Sequence, residues 1–204
     1  MPAIRKIATD FLSIAPGELT PLLKSPIHEE RMLALVILTL QFKTAQKSDD
    51  TSSMKKTFDF YFRHRSAINN WDLVDVTAPT IIGGYLYKKD RRLLRELSSS
   101  TNLWERRIAI VSTFYFIRLH DFKETLWIAK KLLNDPHDLI HKATGWMLRE
   151  VGKRNESVLR RFLDQHSHQM PRTMLRYAIE KLPQKERDSY LGKRIKTHLS
   201  LQTK

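Results

Sequence analysis

Glu30-Arg31-Met32-Leu33-Ala34-Leu35-Val36-Ile37-Leu38-Thr39-Leu40 decides the fold class. Leu33, Val36, Ile37 and Leu40 recur at three- and four-residue steps, which places them on one face of a helix and excludes the two-residue alternation of a strand. Working outward, Ser25–Pro26 precedes the run and the polar stretch Ser48–Ser53 follows it, and both read as breaks. The same spacing returns in Ile108, Val111, Tyr115 and Leu119, and again in Leu126, Ala129, Leu132 and Leu133. Further breakers stand at Pro16–Gly17, Pro21, Ser98–Asn102, Asn134–Pro136, Gly152–Asn155, Pro171 and Pro183. With only 6 glycines and no alternating stretch, the expected fold is all-α. Met32–Leu40 is the longest apolar run, far short of the roughly 18–20 residues of a membrane span. Met1–Ile14 carries Arg5, Lys6 and Asp10 and has no signal-peptide h-region.

Aligning the helices exposes a period. Glu30-Arg31-Met32-Leu33-Ala34, Arg107-Ile108-Ala109, Lys142-Ala143 and Arg176-Tyr177-Ala178 each carry a basic residue and then run apolar around an alanine. The alanines at 34, 109, 143 and 178 are spaced 75, 34 and 35 residues apart. The first interval is about twice the others, so a further member is expected near Asp72–Val76. Such a period predicts about five helical pairs in a HEAT-like α-solenoid, with small alanines at close helix contacts and basic residues lining a concave, positively charged groove. No internal boundary stands out, so a single domain is expected over 1–191, followed by a basic, fraying tail at 192–204.

Charge points to the partner. The 204 residues hold 36 Lys and Arg against 22 Asp and Glu, a formal charge of +14. Residues 1–100 have a net charge of +4 and residues 101–204 a net charge of +10, with 11 acids in each part. The excess is added base, the footprint of a polyanion binder. A hydrophobic fraction of 41% supports a packed core and excludes an intrinsically disordered chain. The absence of cysteine excludes disulfides, thiol nucleophiles and cysteine-ligated zinc. Charge and period alone leave three classes open: a DNA-acting enzyme, a non-catalytic binder of damaged or branched DNA, and a solenoid for an acidic protein partner.

Three segments carry candidate chemistry. In Asn69-Asn70-Trp71-Asp72-Leu73-Val74-Asp75-Val76-Thr77-Ala78-Pro79, an Asn suits the N-cap and Asp72 suits the first turn. Asp75 lies four residues after Trp71, so the two share a helix face. A carboxylate beside an indole in a basic protein suits either chemistry or a salt bridge at the edge of the core. Asn102-Leu103-Trp104-Glu105-Arg106-Arg107-Ile108-Ala109 places Arg107 at the repeat's basic position, with Trp104 expected in the core. His141-Lys142-Ala143-Thr144-Gly145-Trp146-Met147-Leu148-Arg149-Glu150 holds a mid-helix glycine, which signals close approach of another backbone or a ligand.

Together, in order and approximate spacing, these segments resemble the HEAT-like DNA alkylation repair proteins, the AlkD-type alkylpurine DNA glycosylases. The resemblance runs from about Pro2 to about Pro183. It rests on Trp71-Asp72-Leu73-Val74-Asp75 with Pro79, on Trp104-Glu105-Arg106-Arg107, and on Lys142 to Glu150. It implies a catalytic carboxylate at Asp75, aromatics of the site at Trp71 and Trp146, and a backbone-gripping arginine at Arg107. Lys142, Arg149, Arg172 and Arg176 follow as further DNA contacts, by repeat position or local match. The implied substrates are N3- and N7-alkylated purines in double-stranded DNA, cationic bases that leave without a strong general acid. The implied enzyme needs no cofactor or metal, works as a monomer in the cytoplasm without a membrane, and keeps the lesion in or near the stack. Family members usually have another helix or two before the stretch matched by Met1-Pro2-Ala3-Ile4-Arg5-Lys6, so a reduced N-terminal grip on DNA is expected.

Other signals are weaker. His166-Ser167-His168 lacks a third metal ligand nearby. Gly83–Gly84 has no following Lys-Ser/Thr, so it is read as a packing or helix-ending feature and not as a phosphate loop. Trp127, between Leu126 and Ile128, is expected in the core.

Overall fold

The computed structural model describes residues 2–200, with side chains described for residues 2–192. Every regular element among the described residues is helical. No helix among them is long and apolar enough to cross a membrane. Of the expected fraying tail at 192–204, residues 193–204 lie outside the described side chains. The chain divides into two compact units, Met1–Leu93 and Leu94–Lys204.

The first unit contains α1 (Pro2–Asp10), α2 (Thr20–Leu23), α3 (His28–Lys47), α4 (Thr51–Arg63), α5 (Trp71–Ala78) and α6 (Gly84–Leu86). The centre is α3, which packs against α1, α2, α4 and α5. It buries Met32 and the whole stretch from Ala34 to Thr39, more than a single stripe, as befits a helix surrounded by others. Leu35, Ile37, Leu38 and Phe42 are essentially inaccessible, each aliphatic contributing about 1.5–3 kcal/mol of burial. Pro79 lacks an N–H and cannot continue α5 normally. The chain instead widens into a π-helical turn, Pro79–Gly83, before α6 resumes. Gly83 and Gly84 are buried inside this continuous helical run, so they serve packing and do not end it.

The second unit begins within α7 (Arg92–Ser98) and continues through α8 (Leu103–Ser112), α9 (Phe114–Arg118), α10 (Lys123–Lys131), α11 (Asp138–Arg154), α12 (Glu156–His166), α13 (Arg172–Ile179) and α14 (Gln184–Ser200). Its spine is α11, which packs against α8, α10, α12 and α13. Gly145 makes the α11–α13 contact possible. A Cβ there would stand 2.4 Å from the Met174 carbonyl oxygen and 2.5 Å from the Tyr177 Cβ. The mid-helix glycine therefore marks close backbone approach, as its cost in a helix predicts. Gly152 lies inside α11 and does not end it; a Cβ there would meet the Leu159 side chain at 2.4 Å. Leu119 departs from its expected face, because α9 ends at Arg118 and leaves Leu119 46% exposed.

The alanines of the period, Ala34, Ala109, Ala143 and Ala178, are all at 1% exposure or less, in α3, α8, α11 and α13. The expected extra member falls on α5. A second signature recurs at the same intervals. Ahead of α3, the Ser25 hydroxyl accepts from the Ile27 N–H at 3.0 Å and its carbonyl accepts from Arg31 at 2.7 Å. Ahead of α8, Ser100 does the same for the Asn102 N–H and Arg106, both at 3.0 Å. Ahead of α11, the Asp135 side chain accepts from the His137 N–H at 2.9 Å and its carbonyl bonds His141 Nε2 at 2.5 Å. A short polar side chain closes the turn, and a basic side chain six residues on, in the helix, clamps back onto it. Arg31 of the period thus binds its own preceding loop, whereas in the next repeat the clamp is Arg106, the neighbour of the period's Arg107.

Candidate functional site

In the first unit the site is built on α5. The Asn70 side chain accepts from the Trp71 N–H at 2.7 Å and caps the helix. Asp72 accepts from the Leu73 N–H at 2.8 Å and from His28 Nε2 at 2.8 Å, which ties the start of α5 to the start of α3. Leu73, Val74, Thr77 and Ala78 are buried behind the helix. Trp71 is 51% exposed, and Asp75 is half-buried one turn later.

Behind Asp75 runs a buried polar chain. The single proton of Thr77 Oγ1 goes to the Leu73 carbonyl at 2.6 Å. Tyr61 Oη, 2.9 Å from Thr77 Oγ1, must therefore donate to it. Burial holds the Tyr61 phenol protonated well above its usual range, and the negative charge of Asp75 adds to the rise. Asp75 is thus within electrostatic reach of a neutral, fixed hydroxyl. Neither Tyr61 nor His28 was singled out by sequence. Their partners lie 16 and 44 residues away, and no local pattern signals them.

In the second unit, the Asn102 side chain caps α8 by accepting from the Trp104 N–H at 2.8 Å. Trp104 is half-buried and not in the core. Arg106 forms a mostly buried pair with Asp135, 2.6 Å from Nε to Oδ2. Arg107 is only 4% exposed, and its Nη1 donates to the Leu139 carbonyl in the first turn of α11 at 2.5 Å. Its burial was not expected of a residue lining a groove. Lys142 pairs with Asp138 at 2.7 Å. The Asp138 carboxylate raises the Lys142 pKa while the nearby Arg107 charge opposes the rise.

Trp146, one turn beyond Lys142, is half-buried, with its ring 5.8 Å from Phe114. Arg118 and Arg154 lie over that Phe114 ring at 5.0 and 5.7 Å. Arg149 is engaged in an ion pair with Glu180. Arg172 is exposed and donates to the Leu191 carbonyl at 3.0 Å, linking α13 to α14. Arg176, one turn later, is exposed and forms no ion pair among the described residues. Tyr177, 36% exposed, is a further aromatic that sequence reading noted only as part of the repeat. It lies against Gly145 and within electrostatic reach of Lys142.

The structure thus brings Trp71 and Asp75 together on α5, and gathers Arg107, Lys142 and Tyr177 where α8, α11 and α13 meet. It engages Arg149 elsewhere. Trp127, expected in the core, is 41% exposed with Arg95 over its ring at 4.9 Å. The buried side of α10 is formed by Glu124, Thr125, Ile128 and Ala129. No group of three or more possible metal ligands occurs among the described residues, His166 and His168 included.

No curated protein matches the chain in sequence. The family described as DNA alkylation repair enzyme matches residues 1–182. With most of its length matched, this all-helical chain belongs to the DNA alkylation repair enzyme family, and its expected partner is DNA.

Proposed function

We propose that the protein is an AlkD-type DNA glycosylase that hydrolyses the N-glycosidic bond of cationic N3- and N7-alkylated purines in duplex DNA. The observation that carries this reading is the pairing on α5 of an exposed indole, Trp71, with a carboxylate, Asp75, on a helix fixed by Asn70 and by the His28–Asp72 bond.

An alkylated purine with a formal positive charge leaves as a neutral base when the bond from C1′ breaks, taking the bonding electron pair. Positive charge then develops on the deoxyribose. A carboxylate held in place stabilises that charge without reorganising, and it orients the water that adds to C1′ and accepts its proton. Asp75 takes this role. The indole of Trp71, on the same face, attracts the cationic base or sugar by about 0.5–2 kcal/mol. No step calls for a cofactor or a metal.

In this reading the alanine period and the repeated turn clamp belong to a HEAT-like solenoid, whose basic face holds the duplex. Lys142, Arg172 and Arg176 contact phosphates, and Trp146 and Tyr177 border them. Arg107, bonded to Leu139, acts as a fixed positive charge behind Lys142 as well as a phosphate contact. The test is incubation of the pure protein with duplex DNA containing 7-methylguanine, reading free base. Release is expected, and none alongside an active control enzyme would end the proposal.

A further inference from the structure

Between α10 and α12, the second unit carries an open cleft of about 850 Å3 that the proposed duplex site does not use. That volume falls within the range of small-molecule pockets, about 300–1,000 Å3. Two features set it apart from an ordinary surface dip.

The first is its charge. Lys123, Lys130 and Arg161 line it, all exposed and none in an ion pair among the described residues. Elsewhere in this unit cations are commonly matched by acids, as in Arg106 with Asp135, Arg149 with Glu180, and Lys153 and Arg154 with Glu150. The acid in the cleft, Asp121, accepts from the Lys123 backbone N–H at 3.4 Å. His166, also in the lining, is kept toward its neutral form by burial and by the charge of Lys130.

The second is its aromatic wall. Trp127, a large apolar side chain left 41% exposed, is part of the lining. Arg95, held by Glu124 at 2.8 Å, lies over the ring and fixes it. The mouth is shaped by a helix end of the kind glycine usually closes. His120 has φ of 60°, while its N–H bonds the Ile117 carbonyl and the Asp121 N–H bonds the Phe116 carbonyl. The His120 ring stands edge-on to Phe122, 6.1 Å away.

A flat π-surface beside uncompensated cations matches a ligand that is itself a flat ring joined to a phosphate. We infer that this cleft binds an unpaired nucleotide, with its base against Trp127 and its phosphate on Lys123, Lys130 and Arg161. A free nucleoside 5′-monophosphate and a nucleotide of a single strand share this chemistry. The inference does not rest on glycosylase activity.

The experiment titrates the full chain with AMP, with a single-stranded octanucleotide and with inorganic phosphate, by calorimetry. AMP, the octanucleotide or both saturate the site, and whichever binds identifies the source. Inorganic phosphate binds more weakly. Trp127→Ala weakens the interaction by about tenfold, Trp127→Phe retains most of it, and the pair Lys130→Glu with Arg161→Glu removes it. Excision of 7-methylguanine by these variants, if present in the parent, is unchanged. Circular dichroism of each variant checks the fold, and Trp127→Phe preserves the test if the alanine variant unfolds. The inference is overturned if neither nucleotide ligand saturates, if phosphate binds as well as AMP, or if the folded Trp127 and Lys130/Arg161 variants titrate like the parent.

Discussion

The two units differ in what their charges do. The first, with a net charge of +4, holds its candidate chemistry on one short helix fixed by neutral and acidic side chains: Asn70, Asp72 and the Tyr61–Thr77 chain. The second, with a net charge of +10, carries the basic excess but engages much of it internally. Arg106, Arg107, Arg149 and Arg154 all bond to protein groups. Net charge therefore says that a polyanion is the partner and says little about which cation touches it. In the proposed function, the residues assigned the chemistry, Trp71 and Asp75, sit in the less charged unit.

Breaking the internal use of charge should produce the largest effect. Asp135→Asn leaves the mostly buried Arg106 without its carboxylate, while the Ser100 and Thr101 carbonyls still accept from it. A loss of about 3 kcal/mol in stability is expected in denaturant titration. A change below about 0.5 kcal/mol would show that this pair is no structural link. Gly145→Ala drives a Cβ into the Met174 carbonyl and should cost about 2 kcal/mol despite alanine's better helix propensity, read as a lowered melting temperature.

Trp71→Ala sharpens the contrast, since an indole 51% exposed contributes little to folding. Excision should fall by about tenfold with the melting temperature nearly unchanged. Arg176→Ala tests a cation with no ion pair among the described residues. Duplex affinity should drop a few-fold and the slope of log affinity against log salt should shrink by about one. An unchanged slope would remove Arg176 from the interface.

The smallest effect is a pH dependence. Burial pushes the Glu150 carboxyl up, but Lys153 and Arg154 outweigh it and hold its pKa below the usual 4.5. With the folded value lowered, the stability it contributes is present above pH 4.5 and is lost as pH falls through the folded pKa. Glu150→Gln should melt lower than the parent at neutral pH and converge with it in acid.

The helices and their breaks were legible because spacing is local, and so were the alanines of the period, since Ala34, Ala109, Ala143 and Ala178 are all buried. Trp71 and Asp75 were found together because four residues make one turn. What escaped was set by distant partners. Arg107 is buried by a carbonyl 32 residues away, and Asp72 is held by a histidine 44 residues away. Trp127 misled for another reason. Leu126-Trp127-Ile128 is continuously apolar, so no periodicity shows which of the three the helix turns outward.

The central claim is that Asp75 performs the chemistry while the cations hold the DNA. Single-turnover release of 7-methylguanine, measured with protein in excess for the parent and for Asp75→Asn, tests it most directly. The account predicts release by the parent, a loss on the order of 10²-fold or more in the variant, and duplex affinity equal or higher once the negative charge is gone. Release by Asp75→Asn at the parent rate would contradict it.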